Sequence, residues 1–515
     1  MTPRLKRWLA VTTLLMVAVG MLAVPAAWAG KKDNTLRVAF EKELETLDRY
    51  FNTAREGIVV ARHVFDNLLW RDPRTMEYKG LLAKSWKWVD NVTLDLEIRQ
   101  GVTFHNGAKL TADDVVYTLN WVSNPDNKVK QQRYVNWIKN VEKLGDYKVR
   151  IHLKKPFPAA LEFLAMANPI YPKDYYAKVG PKGFGIKPIG TGPYKIVEVE
   201  PGKKIVFVRN KNYFKDSPKG QPHIEKIIWR TMPETNTKVA ELITGGLDWI
   251  WLVPKDQAKK LAQMPNIKVI TAETMRIGYI AMDAANRTGK EHGMKNPFAD
   301  LRVRRAMNYA INKAAISKNL VGGQSRPIWS ACFPTQFGCT EDVMKYPYNP
   351  EKAKKLLAEA GYPNGFSFDF YAYRDRPYAE AMVGDLAKVG IKARLTMMKY
   401  SALREKAAAG KVQAQFLTWG SYSINDVSAI TSYFFEFESQ DMARDPKVRD
   451  WLLEGDTSID PAKRKAAYKK ALQRIAEQAY WVPLFTWVSN NCFNKDLDFT
   501  PYPDAVPRFY MAKWK

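Results

Sequence analysis

Histidine and cysteine are scarce in this chain of 515 residues, which carries five of the first and three of the second. No two histidines are close enough in sequence to clamp a metal, and three cysteines cannot build a four-thiolate zinc site or a disulfide-dense scaffold. A metalloenzyme is therefore not expected, and no cofactor is implied. The motifs G-x-S-x-G, H-E-x-x-H, G-x-x-x-x-G-K-[ST] and C-x-x-C are all missing, so the commonest hydrolytic, phosphate-binding and redox chemistries have no local signature. The turn Gly190-Thr191-Gly192-Pro193-Tyr194 puts a proline where a phosphate loop must offer a backbone N–H, which makes it an entry into a strand. Solenoid-length repeats and low-complexity linkers are absent as well.

What is present is the composition of a large globular protein, 46% apolar and 26% charged, with length for about three core-forming units. Arg4, Lys6 and Arg7 precede an apolar run from Trp8 to Val24, then Pro25 and the small-residue site Ala27-Trp28-Ala29. That is the pattern of a cleaved export signal over residues 1–29, with no cysteine nearby to carry a lipid anchor. No later run approaches the ~18 apolar residues of a membrane span. The net charge of +27 is dispersed among acids, as in KKDNTLRVAFEKELETLDR, with no basic arm or block. A solvated basic surface follows, and no nucleic-acid partner is expected. In an oxidising compartment Cys332 and Cys339 would close a loop of eight residues as a disulfide. Cys492 has no neighbouring His to activate it and reads as a buried small residue.

Period-2 alternation marks strands at TLRVAF, TLDLEI and KVRIHL, and KIVEVEPGKKIVFVRN reads as a hairpin turning at Pro201-Gly202. Thr111 with Asp114 forms a capping box before VVYTLNWV, and Asp300, Asn349 and Asp460 stand at the starts of three further helices. With short apolar runs such as FSFDFYAY and AQFLTWG between the helices, the expected class is α/β.

The segments VFDNLLWRDPRTMEYKGLLAKSWKW, LEIRQGVTFHNGAKLTADDVVYTLN, IGTGPYKIVEVEPGKKIVFVRNKNYF, LITGGLDWIW, DLRVRRAMNYAINKAAI and NPEKAKKLLAEAGY occur in an order that resembles the extracellular solute-binding proteins of ABC importers, family 5, the group of oligopeptide- and dipeptide-binding proteins. The resemblance implies a two-lobed periplasmic binding protein of class II, cluster C, with a two-strand hinge and an extra domain inserted in the first lobe. Lobe I would comprise residues 30–70, 186–272 and 483–515, the extra domain 71–185, and lobe II 273–482. It further implies a periplasmic monomer without catalytic activity that closes on a peptide or peptide-like solute and delivers it to the permease subunits of an ABC importer. A non-peptide solute (an opine, an oligosaccharide or a metal chelate) is the alternative within that class, and an exported hydrolase or a polyanion-binding surface protein lies outside it.

By the same resemblance, Trp419 to Val427 matches the family segment Trp-x-x-Asp-x-x-Asp-Pro. Asp426 fits the second acid, Val427 replaces the proline, and Tyr422 or Ser423 stands where the first acid would pair with a ligand ammonium. Asp426 is then either an ammonium partner or the cap of the helix that follows. Trp419 and Tyr422 would wall the pocket or pack in the core. Ser421, Phe40, Glu41, Trp249 and Tyr279 complete the expected ligand-facing set. Arg374, in YAYRDRP, is a candidate for a ligand carboxylate or an ordinary surface arginine.

Overall fold

The computed structural model describes residues 29–515 apart from Thr53 and Gln131, and apart from the side chains of Ala29, Arg133 and Tyr422. The leader read over residues 1–29 lies, but for its last residue, outside the described residues. Strand β1 (Thr35–Phe40) buries Leu36, Val38 and Phe40 completely, as its alternation predicts. Helix α1 (Arg55–Val64) follows. Next comes a separate antiparallel sheet of β2 (Ala83–Asp90), β3 (Thr93–Ile98), β4 (Ile138–Gly145) and β5 (Lys148–Leu153), ordered β2-β3-β5-β4. Between β3 and β4 runs α2 (Ala112–Ser123), whose start is closed by the Thr111 N–H donating to Asp114 Oδ2 at 3.0 Å. Helix α3 (Ala160–Met166) packs on the short antiparallel pair Leu69–Arg71 and Tyr78–Gly80.

The chain then forms the hairpin β6 (Tyr194–Glu200) and β7 (Lys204–Arg209), where Gly202 takes the φ of 71° that its turn requires. The strand entry at Gly190 passes so close to α1 that a Cβ there would stand 2.1 Å from the Val64 carbonyl oxygen. Strands β8 (Lys226–Thr231) and β9 (Trp249–Ile250) lead into β10 (Ile267–Met282), which at 16 residues is unusually long. Helices α4 (Leu301–Ala310) and α5 (Pro350–Glu359) begin where Asp300 and Asn349 accept backbone N–H bonds of 2.8 and 2.9 Å. There follow β11 (Ser367–Ala372), β12 (Lys392–Met397), α6 (Tyr400–Ala408), β13 (Ala414–Trp419), α7 (Ser428–Phe435), α8 (Pro461–Glu477) and β14 (Trp481–Asn494).

Ten strands make one mixed sheet in the order β12-β11-β13-β10-β14-β9-β1-β8-β7-β6. Strands β10 and β14 pair antiparallel down its middle, β10 handing on to β13 and β14 to β9. Two halves therefore share one sheet through two crossing strands. The first half buries one large core reaching into the four-stranded sheet and a smaller one around Ile250 and Leu261, and the second buries its side chains in two clusters around β11–β13 and α6–α8.

Candidate functional site

The loop after β13 is where the two halves meet. Trp419 ends the strand with its ring stacked on Tyr433, centroids 5.2 Å apart, and its Nε1 donates to the Ala429 carbonyl at 2.9 Å. Beyond Gly420, Ser421 and Ser423 adopt left-handed φ angles of 47° and 68°, a conformation that residues with a Cβ hold only when their surroundings fix it. The surroundings here do so. Ser423 Oγ donates to the Asp504 carbonyl at 2.6 Å and accepts from Arg55 Nη1 at 3.0 Å, while both Nη atoms of Arg71 donate to its carbonyl at 3.1 Å. The Asn425 N–H donates to Glu162 Oε1 at 2.9 Å. Ser421 and Ser423 are both buried.

Behind those contacts lies a buried ionic network. Arg71 pairs with Glu162 and, at 3.0 Å, with Asp504, which also takes Arg508 Nη1 at 2.9 Å. Burial opposes ionisation of Asp504, but Arg508 and then Arg71 outweigh it and hold the carboxyl well below the usual range. Glu162 also accepts from the Tyr78 hydroxyl at 2.9 Å. Every carboxylate of this network is occupied by protein donors.

Asp426 is occupied too. Its Oδ2 accepts from Arg464 Nη2 at 2.8 Å, and its Oδ1 accepts from the Ser428 N–H at 3.1 Å and the Ser428 hydroxyl at 2.7 Å. The residue clamps the start of α7 to α8, with both of its oxygens accepting from protein donors. The stretch before it is held by the loop of Cys332 and Cys339, which are joined as a disulfide with Cα atoms 5.8 Å apart. Gln336, inside that loop, donates to the Ile424 carbonyl at 2.9 Å, and the Val427 N–H donates to the Phe337 carbonyl at 3.0 Å.

The other expected residues divide. Phe40 and Trp249 do not line an open face: both are fully buried in the first half, Phe40 stacked on Trp229 at 3.5 Å and Trp249 edge-on to Phe509 at 5.0 Å. The reason is register, since β1 lies between β8 and β9 and their aromatic side chains close on one another. Glu41, one residue on, is exposed. Tyr279 is buried in the second half, stacked on Trp481 at 3.7 Å, and among the described residues its hydroxyl has no hydrogen-bond partner. Arg374 is half-buried, paired with Asp375, and lies 4.7 Å over the Trp487 ring. Tyr422 belongs to the short turn Ser421–Ser423, and its side chain lies outside the described residues. Arg55, Arg71, Glu162 and Asp504 were not expected at the site, because nothing local in the sequence separates a buried ion pair from surface charge. Cys492 is buried and its thiol is pushed up to about 12 by burial, which removes the thiolate a nucleophile needs. Among the described residues no group of His, Cys, Asp and Glu could hold a metal, and no helix is long and apolar enough to cross a membrane.

Two α/β halves, joined by two crossing strands and touching through a loop of one laid on buried arginines of the other, define the two-lobed binding-protein fold. Solved structures agree in fold. HbpA2 from Haemophilus parasuis superposes with a TM-score of 0.82 at 24% identity, covering 93% of this chain and 100% of that one. The ABC transporter-associated periplasmic binding protein DppA from Helicobacter pylori, in complex with the peptide STSA, gives 0.75 at 24% identity, covering 93% and 98%. Residues 77–441 match the model of bacterial extracellular solute-binding proteins, family 5 (middle), and the chain belongs to that family. It is also 29% identical to the glutathione-binding protein GsiB of Salmonella paratyphi A, over 98% of this chain and 99% of the relative.

Proposed function

We propose that this protein is the periplasmic receptor of an ABC importer, capturing a peptide or peptide-like solute by closure of its two lobes and presenting it to the permease as a monomer without catalytic activity. The observation that carries the reading is the junction at Ser423, where a loop of one half bonds Arg55, Arg71 and Asp504 of the other. A ligand held there touches both halves only when they are together, so its binding energy shifts the population toward the closed form. Lobe I would be residues 30–70, 186–272 and 483–515, lobe II 273–482, and the inserted domain 71–185. The four-stranded sheet falling wholly within 71–185, and the two crossings falling inside β10 and β14, support that division. The relatives named for glutathione and for peptides support the ligand class. From the junction, Glu41, Tyr279, Arg374, Trp419, Ser421 and Ser423 are the ligand-contact candidates.

The test is native mass spectrometry of protein purified from its own cells, followed by identification of the small molecule released on denaturation. Peptides or a thiol tripeptide are the expected release. A sugar or an opine would keep the transport role and remove the peptide reading.

A further inference from the structure

Asp248, the residue before β9, is a buried acid short of a counter-charge, 4% exposed. The sheet fixes its backbone: its N–H donates to the Arg37 carbonyl at 2.8 Å, and its carbonyl accepts from the Asn494 N–H at 2.9 Å. Its Oδ2 accepts from the Arg37 N–H at 2.8 Å, while its Oδ1 accepts no hydrogen bond among the described residues. The Arg37 guanidinium, with Nη1 3.7 Å from Oδ2, is the one cation within ion-pair reach among the described residues. Burial, with Asp33 adding to it, outweighs both contacts to Arg37 and pushes the carboxyl up to about 6. The acid lines an open cavity of about 390 Å³ with Gly30, Lys31, Lys32 and Asp496, of which Lys31 and Asp496 pair with each other at 3.2 Å.

Gly30, in the turn Ala29–Lys32, is buried against this carboxylate. A Cβ built on it would stand 2.8 Å from both Asp248 oxygens, too close for carbon but the length of an N⁺–H···O⁻ bond. In glycine that corner of the Cα holds only a hydrogen. A free amine on Gly30 reaches it by turning about the Cα–C bond, which moves nothing further along the chain. An amine still acylated by Ala29 would have to carry the preceding chain with it.

We infer that the first residue of the exported protein is Gly30 and that its ammonium group seats between the two oxygens of Asp248. Hydrolysis of the Ala29–Gly30 amide gives the new carboxyl to Ala29 and the amine to Gly30, which takes up a proton at neutral pH. Removal of the leader thus supplies the counter-charge that the fold leaves out. The inference rests on reading residues 1–29 as a cleaved export signal and is independent of the solute.

Intact mass of protein purified from the periplasm should give a start at Gly30; any other start overturns the inference and leaves the receptor reading untouched. Asp248→Asn should lower the melting midpoint of the mature chain by about 2 °C, and should leave unchanged or raise that of a chain keeping Ala27-Trp28-Ala29. Equal losses in the two chains would make Asp248 structural only. Acylation of the Gly30 amine at pH 7, read on its N-terminal peptide by mass spectrometry, should run about tenfold slower in native mature protein than in the urea-unfolded chain, and Asp248→Asn should restore the rate. A variant that stays slow overturns the pair. If the variant does not fold, the two wild-type chains decide. The extended chain should fall behind the mature one in melting midpoint as pH rises from about 4 to about 6, because a carboxyl raised by burial loses stability across that interval. A difference constant with pH overturns the inference.

Discussion

Buried and half-buried arginines occupy two regions of this protein and are treated in opposite ways. Arg71 and Arg508 meet carboxylates, Glu162 and Asp504, with every charge answered inside the fold. Arg276, on β10, and Arg404, on α6, meet a hydroxyl and aromatic faces instead. A guanidinium answered by carboxylates keeps its charge compensated inside the fold, whereas one left to hydroxyls and π-faces does not. The contrast separates guanidiniums answered by carboxylates of the fold from guanidiniums that are not.

The contrast can be broken most forcefully at Asp504. Asp504→Asn leaves Arg71 and Arg508 buried without their shared counter-charge and should cost about 4 kcal/mol in urea unfolding at pH 7. Because the native carboxyl titrates well below its unfolded value of about 4, its contribution is present above that pH and lost as pH falls through the acid range, so wild type and variant should converge in stability there. A loss that persists undiminished at pH 2 would mean that packing, not charge, is at stake. Asp426→Asn should be smaller, about 2–3 kcal/mol, since Arg464 keeps its bonds to the Gly455 carbonyl and the Tyr468 hydroxyl. Its peptide affinity should hold, and a variant of full stability with lost affinity would move Asp426 from clamp to ligand partner. Cys332→Ser with Cys339→Ser should be smallest, about 2–2.5 kcal/mol for so short a loop. Hydrogen exchange should then rise at Ile424 to Val427, which Gln336 and Phe337 hold; unchanged protection there would detach the disulfide from the site.

Much of the fold is legible in the sequence wherever the signal is local. The capping residues Thr111, Asp300, Asn349 and Asp460 start their helices, and the Pro201-Gly202 hairpin turns as read. The crossing strands are less so, because β14 is buried almost throughout and carries Pro483, which argues against a central strand. In the structure the proline sits opposite Tyr279 at a shift of register, where its missing N–H is tolerated. At the site, the loop from Trp419 to Asp426 stands out through the family pattern. Phe40 and Trp249 misled, since an aromatic at a strand end looks the same whether it faces a cleft or a neighbouring strand. Arg55, Arg71 and Arg276 were invisible because contacts between residues far apart in the sequence leave no spacing to read.

The pairing of β10 with β14 breaks between Thr274 and Ile277, so Met275 and Arg276 belong to neither flanking ladder. Mechanically, this is the compliant stretch of a two-strand torsion bar, the place where bending disturbs the fewest backbone bonds. The unanswered charge thus sits on the axle and not at the rim. Small changes in its electrostatic environment act with almost no lever arm, and the far edges of both lobes amplify them into a large swing.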